Sequence, residues 1–309
     1  MYSGLVRQCK ERQGRKATLS YRNLILLLVV PPLLFLGTGL SRASVEANDN
    51  GGFQTLLWTV AENVKKNRLL EMTYVYELTR NKLTLDEDSE VKDSESLTFE
   101  VIPLEEGDYR RLIKRNGQPL SDGDARKEEQ KLEASIKKRV NLSESQQAKL
   151  AAKRAERRRK EEQLWNEVPK AFDFKPAGRE TQQGRTVLIF DALPRPEYSP
   201  SDGELKILKK IKGRLWIDEE DSQISRADIQ FVEDIKFGLG FLAKVNKGGS
   251  LKVWQKKVNG EVWFPYHSEV LVNGKIALFK GFNLKFVSDF SNYRRFETRV
   301  DFSPATTTD

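Results

Sequence analysis

The sequence predicts an α+β fold: a strongly curved antiparallel β-sheet forming an incomplete barrel, with an N-terminal helix and an inserted charged helical hairpin. Three observations predict it. Phe237, Leu239, Phe241, Ala243 and Val245 take every second position, the period of a strand with one buried face. Asn116-Gly117, Asn259-Gly260 and Asn273-Gly274 punctuate such segments with the dipeptide that tight hairpins favour, because both turn residues need positive φ. Phe53, Leu56, Leu57, Val60 and Val64 recur instead at helical spacing.

The elements follow in order. A helix over Phe53–Leu70 opens the domain, and Met72–Thr79, Ser96–Ile102 and Tyr109–Lys114 read as strands rich in aromatic and branched residues. Asp86–Asp93 is acidic and turn-like. Ser121 or Asp122 caps a helix running through Leu132, Ile136 and Val140; a second helix starts near Ser143 and reaches Trp165, ahead of Pro169. Between Lys153 and Gln163 the only apolar residue is Ala155, so this part projects into water as a charged arm. Strands at Phe172–Glu180 and Arg185–Ala192 follow, and Pro194, Pro196 and Pro200 then interrupt any ladder. After a short helix at Glu204–Ile211, a continuous meander runs from Gly213 to Phe302. Glycines inside it favour bulging and curvature.

The formal charge of +8 suggests a polyanion partner until it is divided. Residues 1–47 hold seven of the 53 basic and two of the 45 acidic residues, so the remainder carries a net +3. That N-terminal segment has the order of a secretory signal peptide: basic residues, the 13-residue apolar run Leu24–Leu36, then Ser41, Ala43, Ser44 and Ala47. The run is short of the roughly 20 residues that span a bilayer, and Pro31-Pro32 breaks it. The chain is thus expected to be exported, with a retained, uncleaved membrane anchor as the alternative. Residues 48–309 form one domain, carrying the helical insertion at 121–168. Cys9, the only cysteine, lies in the signal segment and His267 is the only histidine. Ser-His-Asp and Cys-His catalysis and cysteine zinc sites are thereby set aside; carboxylate-only chemistry stays open as a third reading, but no enzyme activity, cofactor or metal is expected.

Several motifs then carry a resemblance: Asn116-Gly117-Gln-Pro-Leu-Ser121, Gly178-Arg-Glu180, Pro194-Arg-Pro-Glu-Tyr198, Gly213-Arg-Leu-Trp-Ile-Asp218 with Gln223-Ile-Ser-Arg226, Val262-Trp-Phe-Pro265 and Tyr293-Arg-Arg-Phe296. They resemble the lipoprotein-carrier superfamily typified by LolA and LolB, and more closely a group of exported bacterial proteins of the outer-membrane lipoprotein-sorting type. The resemblance covers most of residues 53–302. It implies a periplasmic location (or an inner-membrane anchor if the N-terminal segment is kept), a half-barrel closed by helices over an apolar cavity, a non-enzymatic role in envelope transport or maintenance, and an acyl chain of a lipid or lipoprotein as ligand. An envelope interaction or sensor module, with the charged arm as partner surface, is the alternative that it implies.

If helix and sheet enclose a cavity, Leu57, Val60, Val64, Ile229, Phe231, Phe237, Leu239, Phe241, Leu278 and Phe282 line it; the plainer reading packs them as a dry core. Arg157, Arg158, Arg159 and Lys160 are the candidate partner-binding cluster, in contact with an envelope protein or peripherally with a membrane rather than with nucleic acid. Asp122–Pro169 holds 13 basic and ten acidic residues, the mixture of a solvated helix. Trp216 and Trp263 read as structural aromatics. Asp218, Glu219, Glu220 and Asp221 read as an acidic hairpin turn rather than a calcium site, His267 as a strand residue, and Asn141-Leu-Ser143 as a turn between helices rather than a glycosylation site.

Overall fold

The computed structural model describes residues 50–104, 108–140, 142–200, 203–237, 243–276 and 280–296. The signal segment, Leu239, Phe241 and Leu278 lie outside these residues. Helix α1 (Asn50–Glu71) leads into β1 (Tyr74–Leu85), β2 (Val91–Ile102), β3 (Tyr109–Arg115) and β4 (Gln118–Pro119). Helices α2 (Asp122–Val140) and α3 (Glu144–Ala171) form the arm. Then come β5 (Phe172–Gln182), β6 (Arg185–Pro194), a 3-10 helix (Glu204–Lys210), β7 (Ile211–Asp218), β8 (Gln223–Phe231), β9 (Ile235–Phe237), β10 (Ala243–Val245), β11 (Ser250–Val258), β12 (Val262–Ile276) and β13 (Lys280–Arg295). Among the described residues no helix is long and apolar enough to cross a membrane.

The strands form one antiparallel sheet in the order β4-β3-β2-β1-β13-β12-β11-β8-β7-β6-β5, with β10 joining β12 and β9 joining β10. The last long strand pairs with the first, placing both chain halves in one sheet. The two ends of the order, β4 and β5, do not pair with each other, so the sheet stays open. Six of its pairings carry a register shift, and each such bulge bends and twists its strand. The arm connects β4 directly to β5 and therefore runs from one free edge of the sheet to the other.

Local signals placed most boundaries. Asn116-Gly117 and Asn259-Gly260 have the expected positive φ, at 49° and 78° and at 51° and 72°. The Asp124 N–H donates to Ser121 Oγ at 3.2 Å, fixing Ser121 as the cap of α2, and Ser143 forms a reciprocal capping box with Gln146 at the start of α3.

Three expectations are corrected. Asn273-Gly274 is no turn: it lies inside the 15-residue strand β12. A side chain at Gly274 would stand 2.0 Å from the Lys244 carbonyl oxygen and 2.8 Å from the Phe282 ring, so the glycine permits close strand approach. The strand expected over Phe237–Val245 is instead two three-residue strands, β9 and β10, paired in antiparallel fashion. Helix α3 runs past Pro169 to Ala171.

Candidate functional site

The surface on which α1 lies is built from cross-strand rows of apolar residues. Phe190, Leu215, Ala227 and Val253 are successive neighbours across β6, β7, β8 and β11. The next row on the same face runs Gly213, Ile229, Leu251, Val270 and Phe286. Beyond it, Phe231 pairs with Ile211, and Val272 with Leu284. The period of two thus produces a continuous apolar floor across five strands and more.

Helix α1 covers one part of that floor. Its Leu56, Leu57, Val60 and Ala61 are buried. Leu56 and Val60 pack with Phe190, Ile217 and Ile224, and Val64, Leu188, Ala227 and Trp165 from α3 close the cluster. Among the sequence-predicted lining residues, Leu57 and Val60 are thus buried and Val64 partly so, while Phe231 is buried and Ile229 and Phe282 are partly exposed. Phe237 ends β9. At this end of the trough the helix itself fills the space.

Polar contacts latch α1 in place. The Gln223 side-chain amide donates to the Asn63 carbonyl at 2.6 Å, and Asn63 donates to the Asp221 carbonyl at 2.9 Å. The strongest latch is a fork in the sheet. β12 pairs with β13 only from His267 to Ile276, whereas β13 continues past Asp289 with β1 alone. Val262–Tyr266 therefore has β11 on one side and, among the described residues, no strand on the other. Asn67 occupies that vacant edge: it accepts from the Trp263 N–H and donates to the Trp263 carbonyl, both at 2.6 Å. The Tyr293 hydroxyl donates to the Pro265 carbonyl at 2.6 Å. Side chains thus satisfy the peptide groups that a missing strand would leave buried and unpaired. Tyr74, Tyr76, Phe264, Phe290 and Tyr293 gather around this fork, with Phe264 and Tyr293 ring centres 4.8 Å apart. Burial raises the pKa of Tyr293 and Tyr76. Burial likewise raises that of Glu71 at the end of α1, against the opposing pull of its Arg68 ion pair at 2.7 Å.

Asp218, Glu219, Glu220 and Asp221 are held by cations. Asp218 is fully buried and receives a bidentate pair from Arg185 at 2.6 and 2.7 Å. Arg185 also reaches Glu220 and Asp221, Lys257 pairs with Asp221 at 2.8 Å, and Arg179 with Glu219. The Trp263 indole N–H donates to Asp221 at 2.9 Å. These carboxylates are spent on ion pairs, the hairpin-turn reading. On the opposite face, Arg226 lies between Trp216 and Trp254, 4.2 and 4.9 Å from their rings, and His267 sits 2.7 Å from Asp289.

The arm departs from expectation at its roots. Helix α2 packs on β3, where Arg111 bridges Glu100 and Glu129 and Leu132 is buried. Leu164, Trp165 and Val168 of α3 enter the core clusters, with Lys65 bonded to Asn166. In the candidate basic cluster, Arg159 pairs with Glu156 and Lys160 with Glu204, whereas Arg157 and Arg158 are exposed. Sequence reasoning missed Asn67, Tyr293 and Arg185. The only available signal was Asn63 and Asn67, two amides one helical turn apart on an otherwise apolar face.

No family model and no curated protein matches the chain. Solved structures do. The chain is similar to an outer membrane lipoprotein-sorting protein domain from Vibrio parahaemolyticus at 11% identity and TM-score 0.31, covering 80% of this chain and 95% of that one. It is similar to a LolA superfamily protein from Nitrosomonas europaea at 13% identity and TM-score 0.29, covering 82% and 95%. A DUF1329 family protein from Desulfovibrio piger is similar at 13% identity and TM-score 0.27, covering 81% and 94%.

Proposed function

We propose that this is an exported, periplasmic, non-enzymatic carrier that binds the acyl chain of a lipid or lipoprotein on the apolar floor of its open sheet. The observation that carries the reading is the floor itself: rows of aliphatic and aromatic side chains across a sheet whose ends do not join, partly covered by one helix. The motifs that resemble the LolA and LolB carriers point the same way. Because α1 already fills one part of the trough, the ligand exchanges with it. Burying the three apolar side chains Leu56, Leu57 and Val60 is worth about 5–9 kcal/mol at about 1.5–3 kcal/mol each. An acyl chain of about 14 carbons, at about 0.8 kcal/mol per buried methylene, releases roughly 10 kcal/mol. The two quantities are of one size, so on apolar burial alone the exchange is nearly balanced, and the polar latches of α1 oppose it. Of the proposed lining residues, Ile229 and Phe282 stay partly exposed and open to the ligand, whereas Phe231 is already buried.

The test is protein purified without detergent, examined by native mass spectrometry and by uptake of a fluorescent fatty acid. Co-purifying lipid, and uptake that Ile229→Asp weakens while the fold is retained, support the reading. A consistently bare chain that takes up no fatty acid overturns it.

A further inference from the structure

The charges of the arm are segregated along its length. Residues 134–160 hold ten basic and two acidic side chains, whereas residues 122–133 and 161–169 together hold three basic and eight acidic ones. The acidic stretches are the roots, where the arm meets the sheet through Glu129 on one side and Leu164, Trp165 and Val168 on the other. The strongly basic stretch is the elbow between α2 and α3. The even mixture counted over the whole arm is thus the sum of two unlike parts.

Six of the ten cations in this stretch also lack a described carboxylate partner, whereas Arg159 and Lys160 are paired. Lys137, Lys138, Lys149, Lys153, Arg157 and Arg158 are exposed, and none pairs with a described carboxylate. Lys149, Lys153 and Arg157 stand at successive four-residue spacings, where like charges destabilise a helix, so the chain bears a cost that an anionic surface removes. Lys137 and Lys138, with Ala134, Leu142 and Gln146, line an open depression beside the turn between α2 and α3. Ile136 beside it is 42% exposed. Residues 134–160 contain no aromatic side chain on which a nucleic-acid base would stack.

We propose that the elbow is an electrostatic contact for an anionic phospholipid surface. Lysines and arginines meet headgroup phosphates, and the depression accepts one headgroup between cationic and aliphatic walls. The contact is independent of acyl-chain binding on the sheet, and each can fail without the other.

The experiment is flotation of the full chain with vesicles of phosphatidylglycerol and phosphatidylcholine, against vesicles of phosphatidylcholine alone. Binding is expected only to the former. It is expected to be lost on raising salt from about 0.1 to 1 M, which shortens the screening length from about 10 to 3 Å. Changing the six cations to Gln is expected to weaken it at least about a hundredfold, since at about 1 kcal/mol per cation even three of the six leaving the surface have that effect. Lysine-to-arginine replacement at 137, 138, 149 and 153 should preserve it. If the six-site variant fails to fold, by circular dichroism, the salt series and the arginine variant decide. Equal binding to both vesicle types, unchanged binding by the folded Gln variant, or binding to a short DNA duplex that persists at salt releasing the vesicles overturns the proposal.

Discussion

Replacing Asn67 by Ala tests the claim that one side-chain amide stands in for a missing strand. The change removes two hydrogen bonds to the Trp263 peptide and a third to Glu71 at 2.8 Å, and leaves the Trp263 N–H and carbonyl buried without partners. Each orphaned group costs about 1–3 kcal/mol, so about 2–6 kcal/mol is expected in total. That is a large share of the roughly 5–15 kcal/mol that holds a domain together. At about 2–4 °C per kcal/mol for a chain of this size, the thermal midpoint should fall by roughly 4–24 °C. Asn67→Asp separates the donor from the acceptor: it still accepts from Trp263 N–H but turns a carboxylate toward the Trp263 carbonyl and Glu71. At neutral pH it should be at least as damaging as Ala, and less so as the carboxylates protonate. Urea midpoints and thermal scans of Asn67→Ala, Asn67→Asp and the exposed neighbour control Lys66→Ala decide. A loss no larger than that of the control would refute the argument that the fork is sealed by this amide. On the proposed function, the unlatched Ala variant should also take up fatty acid faster.

Arg185→Ala leaves the fully buried Asp218 without its bidentate partner and is expected to cost about 3–5 kcal/mol by urea unfolding; a cost below about 1 kcal/mol would show that Asp218 finds water or another cation. Glu71 has a folded pKa raised by burial above its unfolded value of about 4.3. Its contribution is therefore full below that value and lost as pH rises through the folded pKa. Glu71→Gln should be more stable than the native chain at pH 7 and gain nothing near pH 4; a less stable variant at pH 7 would mean that the Arg68 pair outweighs burial. Asp221 has the opposite sign: burial raises its pKa, but Lys257, the Trp263 indole and Arg185 together hold it below the usual value. Its contribution is present above about pH 4 and lost as pH falls through the folded pKa. Lys257→Met should make stability between pH 5 and 2 fall less steeply, and an unchanged slope would count against this pairing. Gly274→Ala drives a methyl group into the Lys244 carbonyl and the Phe282 ring, and should cost at least about 1–3 kcal/mol with loss of amide protection in β10; full protection would contradict the close approach.

What could be read from the chain was what neighbouring residues decide among themselves. Alternation along β7, β8 and β13, the capping signal at Ser143, and the turns at Asn116-Gly117 and Asn259-Gly260 are settled within a few residues, because pleat, cap and positive φ are local properties. The same dipeptide at Asn273-Gly274 misled for the complementary reason. Its glycine answers to Lys244 and Phe282, which only the assembled sheet brings against it. The Phe237–Val245 segment failed likewise, since its period fits one strand or two short ones equally.

The sequence by itself determined the period of each element, an apolar face for α1 and for the sheet, and the basic bias of residues 134–160. Tertiary structure alone decided that the sheet stays open with the arm joining its two edges, and that β12 and β13 part at a fork sealed by Asn67, 196 residues away from Trp263. It alone set the basic stretch at the elbow and the acidic ones at the roots. The reason is physical: periodicity states which side of an element is apolar, but which partner covers that side depends on contacts between residues far apart in the chain, and no local pattern encodes them.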